Sequence, residues 1–220
     1  MPVPVAIIPA YNSSGTIAQI ILRVKSHIKD VLVIDDGSGD QTAELARSSN
    51  AIVISHQQNK GKGAALKTGF AGALARGFDP IITLDSDGQH NPDYIPSFIK
   101  AYHDTAADII IGSRAKNNVN MPWDRKFSNW ATSHILTFLL KKQIDDSQSG
   151  FRVYSGRFLK VVQFDSDHFE LETEAIIKAA NRGFAIKFIP ISVEYELNFP
   201  TNINRLLDTL RWCRKVLEHI

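Results

Sequence analysis

The stretch IITLDSDGQH, residues 81–90, decides how the chain is read. Ile81, Ile82 and Leu84 make a short apolar run of the kind a buried β-strand needs. It ends in oxygen-bearing side chains on alternate positions: Asp85, Asp87 and Gln89. Alternate side chains of an extended segment share one side, so these three can converge on one small volume. Two carboxylates held that close repel each other unless a cation lies between them. Hard divalent ions prefer oxygen donors, and Mg2+ is usually held by one or two carboxylates plus substrate phosphates. One reading is therefore Mg2+ or Mn2+ shared with a phosphorylated ligand. The other is a strand end closed by an Asp87-Gly88 turn.

Working outward, the same pattern of apolar strand and polar end recurs. Residues 3–8 read as a first strand, with Pro4 giving it a ragged start. After the turn PAYNSSG, Ile17, Ile20, Ile21, Val24 and Ile28 fall on one helical stripe. Val31–Ile34 form a second strand ending at Asp35-Asp36-Gly37-Ser38, and Ser38 with Gln41 has the capping-box spacing for a helix through Ala46. Ile52–Ile54 give a third strand, followed by NKGKGAALKTGFAGALARGF, a small-faced helix suited to lie on a sheet. Ile81–Leu84 are the fourth strand, Pro92 opens another helix, and Asp108–Gly112 are the fifth strand. Such alternation implies a doubly wound, mostly parallel sheet. Ligands of such sheets bind beyond the carboxyl ends of the strands. Those ends carry Pro9-Ala-Tyr-Asn12, Asp35-Asp36, Asn59-Lys60, Asp85-x-Asp87 and Gly112-Ser-Arg114, and their gathering on one edge favours the metal-phosphate reading.

The second half is less regular. Residues 123–142 fit a helix, Phe151–Tyr154 a strand, Leu171–Arg182 a helix, and Ala185–Val193 a strand broken at Pro190. In the tail, Ile203–Ile220, the residues Ile203, Leu206, Leu207, Leu210, Cys213 and Leu217 share a helical face. That face either docks on the core or rests on a membrane surface, which Trp212 on the polar side would suit.

At 220 residues the chain can bury one full core, and a single domain is expected. A net charge of +2 creates no field that would argue for nucleic acid. The single Cys213 excludes an internal disulfide and fits a reducing compartment. The N-terminus lacks the pattern of a signal peptide, and the apolar stretch at Ile135–Leu140 is too short to span a bilayer. A cytoplasmic protein is expected, at most peripheral on the cytoplasmic face of a membrane.

PAYN, VIDDGSGDQT, NKGKGAAL, LDSDGQH, IIGSR and DDSQSGFRVY together resemble, in order, the motifs of inverting family 2 glycosyltransferases of the GT-A fold. The similarity is closest to the dolichyl- or polyprenyl-phosphate mannose and glucose synthases and runs from about Val5 to Pro190. It implies a Rossmann-like α/β sheet with a nucleotide-sugar half over about 1–115 and an acceptor half over about 116–220. It also implies transfer of a hexose from GDP-mannose or UDP-glucose to a polyprenyl or dolichyl phosphate, with Mg2+ or Mn2+ as cofactor. The nucleotide sugar would be held by Pro9, Tyr11, Asn12, Asp35, Asp36, Lys62, Asp85, Ser86 and Asp87, and the metal by Asp85, Asp87 and Gln89. Arg114, Arg125 and Arg152 would meet the acceptor phosphate, with Lys126 another basic position of the family. Asp87, Arg114, Glu172 and Glu174 would be the catalytic group; either glutamate could contact sugar hydroxyls or serve as a base for an alcohol acceptor. His90 reads as structural. A phosphate acceptor has a chemical logic of its own: an attacking alcohol needs a general base, whereas a phosphate monoester is already anionic and needs cations such as Arg to bring it in.

Two departures stand out. Ser13 occupies a position where the family often has Glu, and EYELNFPTNINR, which follows Val193, holds no basic residue before Arg205 where relatives carry a basic loop. Rival readings are a haloacid-dehalogenase-type phosphatase, a nucleotidyltransferase, a glycosyltransferase with a saccharide acceptor, and a non-catalytic sugar-nucleotide-binding module. The first needs Asp-x-Asp-Gly on the first strand followed by Thr, and the second a basic Gly-rich first loop; neither is present.

Overall fold

Burial with a period of two sets the sheet. In β1 (Val3–Ala10), Val5 and Ile7 enter one hydrophobic layer and Ala6 and Ile8 the other, all fully buried, as expected of a central strand covered on both faces. The computed structural model describes residues 3–114, 123–193 and 205–218. Its strands are β1, β2 (Asp30–Asp35), β3 (Ile52–Ser55), β4 (Phe78–Thr83), β5 (Ile109–Ser113), β6 (Arg152–Tyr154) and β7 (Ile186–Pro190). They form a seven-stranded sheet in the order β3-β2-β1-β4-β6-β5-β7. All neighbours run parallel except β6, which is antiparallel to both β4 and β5. This reversal brings the start of β6 to the sheet edge where the parallel strands end, since Thr83 pairs with Arg152.

Helices α1 (Ile17–Lys25), α2 (Thr42–Ser48) and α4 (Ile95–Thr105) contribute to one buried layer. Helices α3 (Lys62–Ala75), α5 (Trp123–Leu140), α6 (Gly156–Val161), α7 (Glu170–Asn181) and α8 (Arg205–Leu217) contribute to the other. α3 lies unusually close to the sheet: a Cβ added to Gly69 would fall 2.7 Å from a methyl of Ile7. Its small residues allow that approach, as its composition suggests.

Several local expectations change. The Ser38/Gln41 capping box does not form; Ser38 Oγ accepts from Asn12 N–H, and Asp40 accepts from Thr42 N–H and hydroxyl. A carboxylate is the stronger acceptor, so the helix starts at Thr42. Pro92 begins a short 3-10 turn (Pro92–Tyr94) capped by Asn91, and α4 follows it. Pro4 coincides with a register shift between Val3 and Val5. In α8, Trp212 and Val216 pack on the core while Cys213 and Leu217 are exposed. The docked face is thus offset from the expected stripe, whose members Ile203, Leu206, Leu207 and Leu210 lie outside the residues whose side chains are described. Residues 194–204 and the Arg205 side chain, where relatives carry a basic loop that is either replaced by Arg205 or missing here, lie outside them too.

Candidate active site

The polar strand ends do meet on one edge. After β1, Asn12 adopts a left-handed conformation (φ 50°), and its side chain accepts from Gly39 N–H at 2.9 Å, tying the first loop to the second. Ser13 Oγ lies 2.9 Å from Ser86 Oγ, and Thr16 donates to the Ser86 carbonyl at 2.6 Å, so the loop after β1 carries the Asp85–Asp87 segment. Pro9 is buried at the end of β1, and Tyr11 beyond it is half-buried.

Asp35 and Asp36 are both buried, and their oxygens face the protein. Asp35 accepts from Ser38 N–H at 3.2 Å. Asp36 accepts from the N–H groups of Lys60 and Gly61 at 3.0 and 2.8 Å and pairs with His56 Nδ1 at 2.6 Å. Its carboxylate anchors the 59–61 loop, and nothing in the sequence pointed to His56 as its partner.

Asp85 is different. Among the described residues its close ion pair is with Lys62 Nζ at 2.5 Å, and that ammonium also bonds Glu172 at 2.8 Å. On its other side stands the backbone of Gly150, where an added Cβ would come within 2.5 Å of a carboxylate oxygen. Burial alone would raise the Asp85 carboxyl, but Lys62, with His90 and Arg114 farther off, brings it down to about 2. The same two carboxylates outweigh burial at Lys62 and hold its ammonium above the ordinary lysine range. Asp87 takes a single backbone N–H, from Gln89 at 3.0 Å. Burial and the Asp85 charge push its carboxyl up, against smaller opposing effects from His90 and Lys62. Asp85 and Asp87 are thus a close anionic pair with one lysine to serve both. That donor set fits a hard divalent cation sharing its shell with phosphate oxygens. The Gln89 side chain is half-buried beside them. Among the described residues, no cluster of three or more His, Cys, Asp or Glu side chains is placed to hold a metal, so any such ion would rely on this pair and its ligand.

The basic residues divide. Arg114 makes a bidentate pair with Asp146 (Nε at 2.8 Å, Nη2 at 2.9 Å), and its backbone N–H bonds the same carboxylate. The guanidinium is held in a fixed plane at the end of β5. Arg125 is half-buried in the first turn of α5. Arg152 is fully buried and donates to the carbonyls of Ser149, Ser147 and Glu172. Its expected contact with an acceptor phosphate is therefore corrected: the antiparallel β6 turns it inward, where it anchors the 147–149 loop to α7. Glu174 is corrected in the same way. It is fully buried, caps the N–H groups of Asp165 and Ser166 and pairs with Lys178. His90 is buried and stacked on Phe151, the structural place expected of it. Asp146 and Gly150, in the DDSQSG motif, are positioning residues that carry no cation and so have no phosphate-binding signature in the sequence.

A Glycosyl transferase family 2 model matches residues 5–165. A UDP-N-acetylglucosamine–dolichyl-phosphate N-acetylglucosaminyltransferase of Methanococcus voltae is 34% identical, over 90% of this chain and 89% of its own length. An undecaprenyl-phosphate mannosyltransferase of Micrococcus luteus is 32% identical, over 87% of this chain and 84% of its own. The structure also superimposes on a glucosyl-3-phosphoglycerate synthase of Mycobacterium tuberculosis, solved with Mn2+, UDP-glucose and phosphoglyceric acid. There the TM-score is 0.80 at 21% identity, covering 99% of this chain and 79% of that one, a likeness of GT-A fold alone. The chain belongs to glycosyl transferase family 2.

Proposed function

We propose that this glycosyltransferase moves a hexose, mannose or glucose, from a nucleoside diphosphate sugar to a polyprenyl or dolichyl phosphate, with inversion at the anomeric carbon. The observation that carries the reading is the Asp85–Asp87 pair, two half-buried carboxylates with a lysine held between Asp85 and Glu172. Asp85 and Asp87, with Gln89 beside them, would hold Mg2+ or Mn2+, which when bound supplies Lewis-acid stabilisation of the departing diphosphate. Lys62 places a second positive charge at the same end of the site. Arg114, held flat by Asp146, presents a guanidinium suited to orienting a phosphate oxygen, and Arg125, half-buried in the first turn of α5, is the second basic position assigned to the acceptor phosphate.

The state of the glutamates favours a phosphate acceptor over a sugar hydroxyl. Glu172 is paired with Lys62, and Glu174 is bound by two N–H groups and Lys178. Neither is placed as a general base, and a phosphate monoester needs none. A lipid acceptor also requires approach to a membrane. No helix among the described residues is long and apolar enough to cross one. On α5, however, Trp123, Phe127, Trp130 and Phe138 are 79%, 62%, 56% and 82% exposed. Their spacing puts them with His134 on one helical face, and the exposed Lys141 and Lys142 follow its end. That face is suited to lie in a lipid interface. The C-terminal helix is the weaker candidate, because its Trp212 packs on the core.

The test is release of nucleoside diphosphate across GDP-mannose, UDP-glucose and UDP-N-acetylglucosamine, with and without a short polyprenyl phosphate, in Mg2+ and in Mn2+. Release that depends on the lipid phosphate supports the reading. Release driven only by a saccharide transfers the function to glycan extension, and no release with any donor leaves a binding module.

A further inference from the structure

Around Lys62 the backbone is packed closely against a neighbouring segment. A Cβ on Gly61 would lie 2.5 Å from the Asp167 carbonyl oxygen, and one on Gly63 would lie 2.6 Å from the Asp167 carbonyl carbon. Ala64 N–H donates to Asp167 at 2.9 Å, and Lys67 pairs with the Asp167 side chain at 2.6 Å. The first turn of α3 is therefore clamped to the segment that leads into α7. On the facing side Asp85 lies so close to the Gly150 backbone that no side chain would fit there, and Arg152 holds the Glu172 backbone carbonyl. Lys62 Nζ sits between the Asp85 and Glu172 carboxylates, paired with each, with the Phe169 ring centroid 5.4 Å away.

A divalent ion arriving alone at Asp85 must displace an ammonium already bound by two anions. A nucleoside diphosphate changes that competition, because its phosphate oxygens offer Lys62 a third partner and offer the ion further ligands. We propose that Lys62 is a built-in counter-cation: it occupies Asp85 in the empty site and makes capture of the divalent ion conditional on a nucleoside diphosphate. The inference rests on the donor-site reading above and adds an order of events to it, nucleotide before metal or both together. By linkage, nucleotide and metal must strengthen each other by the same factor.

The experiment measures Mn2+ binding, by electron paramagnetic resonance of the free ion, to the full chain with no nucleotide and then with UDP or GDP. Lys62→Met and Lys62→Gln are compared with wild type, and Lys62→Arg keeps the charge. Wild type and Lys62→Arg are expected to bind Mn2+ weakly without nucleotide. The neutral variants should bind it at least about tenfold more tightly, within the ordinary range of coupling between sites, and should gain correspondingly less from added nucleotide. Adding Asp87→Asn to Lys62→Gln should abolish that binding. Equal nucleotide-free affinity in wild type and in whichever neutral variant is folded, judged by its thermal melt, would overturn the proposal, as would tighter binding that survives Asp87→Asn. Both readings are taken without donor turnover, so a failed sugar-transfer assay leaves them standing.

Discussion

Two acidic pairs occupy strand ends on either side of β1, and the protein treats them in opposite ways. Asp36, after β2, has its oxygens filled by two backbone N–H groups and His56. Asp87, after β4, has one backbone N–H and a charged neighbour in Asp85. A carboxylate satisfied by its own chain supports a loop. One left under-neutralised in a cleft is available to a ligand, which is why perturbed carboxyls mark functional sites. Asp146 and Glu174 fall on the Asp36 side of this division, each filled by N–H groups and a cation.

The sharpest way to break the contrast is Asp87→Asn. Turnover should fall by about 10³-fold or more, equivalent to about 4 kcal/mol of lost transition-state stabilisation, while the thermal midpoint holds or rises because a like charge is removed. Nucleoside diphosphate release and a thermal melt on one preparation check both halves. A variant that lost its fold would place Asp87 with the structural carboxylates.

Asp146→Asn should act chiefly on stability, costing about 3–5 kcal/mol as expected when one partner of a buried ion pair is removed. Although burial alone would raise it, the Asp146 carboxyl is held below the usual aspartate range by Arg114 and by the N–H groups of Arg114 and Gln148. A lowered folded-state value adds stability that is fully present above about pH 4, the unfolded value. That contribution disappears as the pH falls through the folded value, so the gap between wild type and variant should close on acidification. Urea unfolding at pH 7 and pH 3 measures it.

Asp36→Ala should cost about 2–4 kcal/mol, since it leaves the Lys60 and Gly61 N–H groups and His56 without their acceptor. In the folded fraction kcat should stay within about tenfold of wild type, with any larger change in the donor KM. Smallest in stability is the pair Trp130→Glu and Phe138→Glu on exposed α5, expected to shift unfolding by less than about 0.5 kcal/mol. Sedimentation with anionic vesicles should nevertheless fall sharply, while turnover of a water-soluble short-chain acceptor is unchanged.

Strands, their order along the chain and the edge that gathers the site were legible because apolar runs and alternate-position acids report directly on extended backbone. Arg114 and Arg152 show where legibility stops. Each follows a strand-associated glycine or aromatic in a motif rich in small residues, and each looked like a phosphate ligand. Only the reversed direction of β6 separates them, sending Arg152 beneath α7, and strand direction leaves no mark on five or six residues of sequence. The capping box failed for a related reason. Ser38 had the right spacing, but its partner was Asn12, 26 residues away. Trp212 was misplaced because an indole suits a lipid interface or a core equally, and burial is decided by what packs against it.

The close seat of α3 on β1 has one more consequence. Gly69 has no room for a methyl group against Ile7, so the absence of a side chain there sets the depth of the whole helix. Lys62 stands at the far end of the same rigid rod. A single added carbon, two turns away and out of sight of any ligand, would lift the lever and mis-aim the charge at its tip.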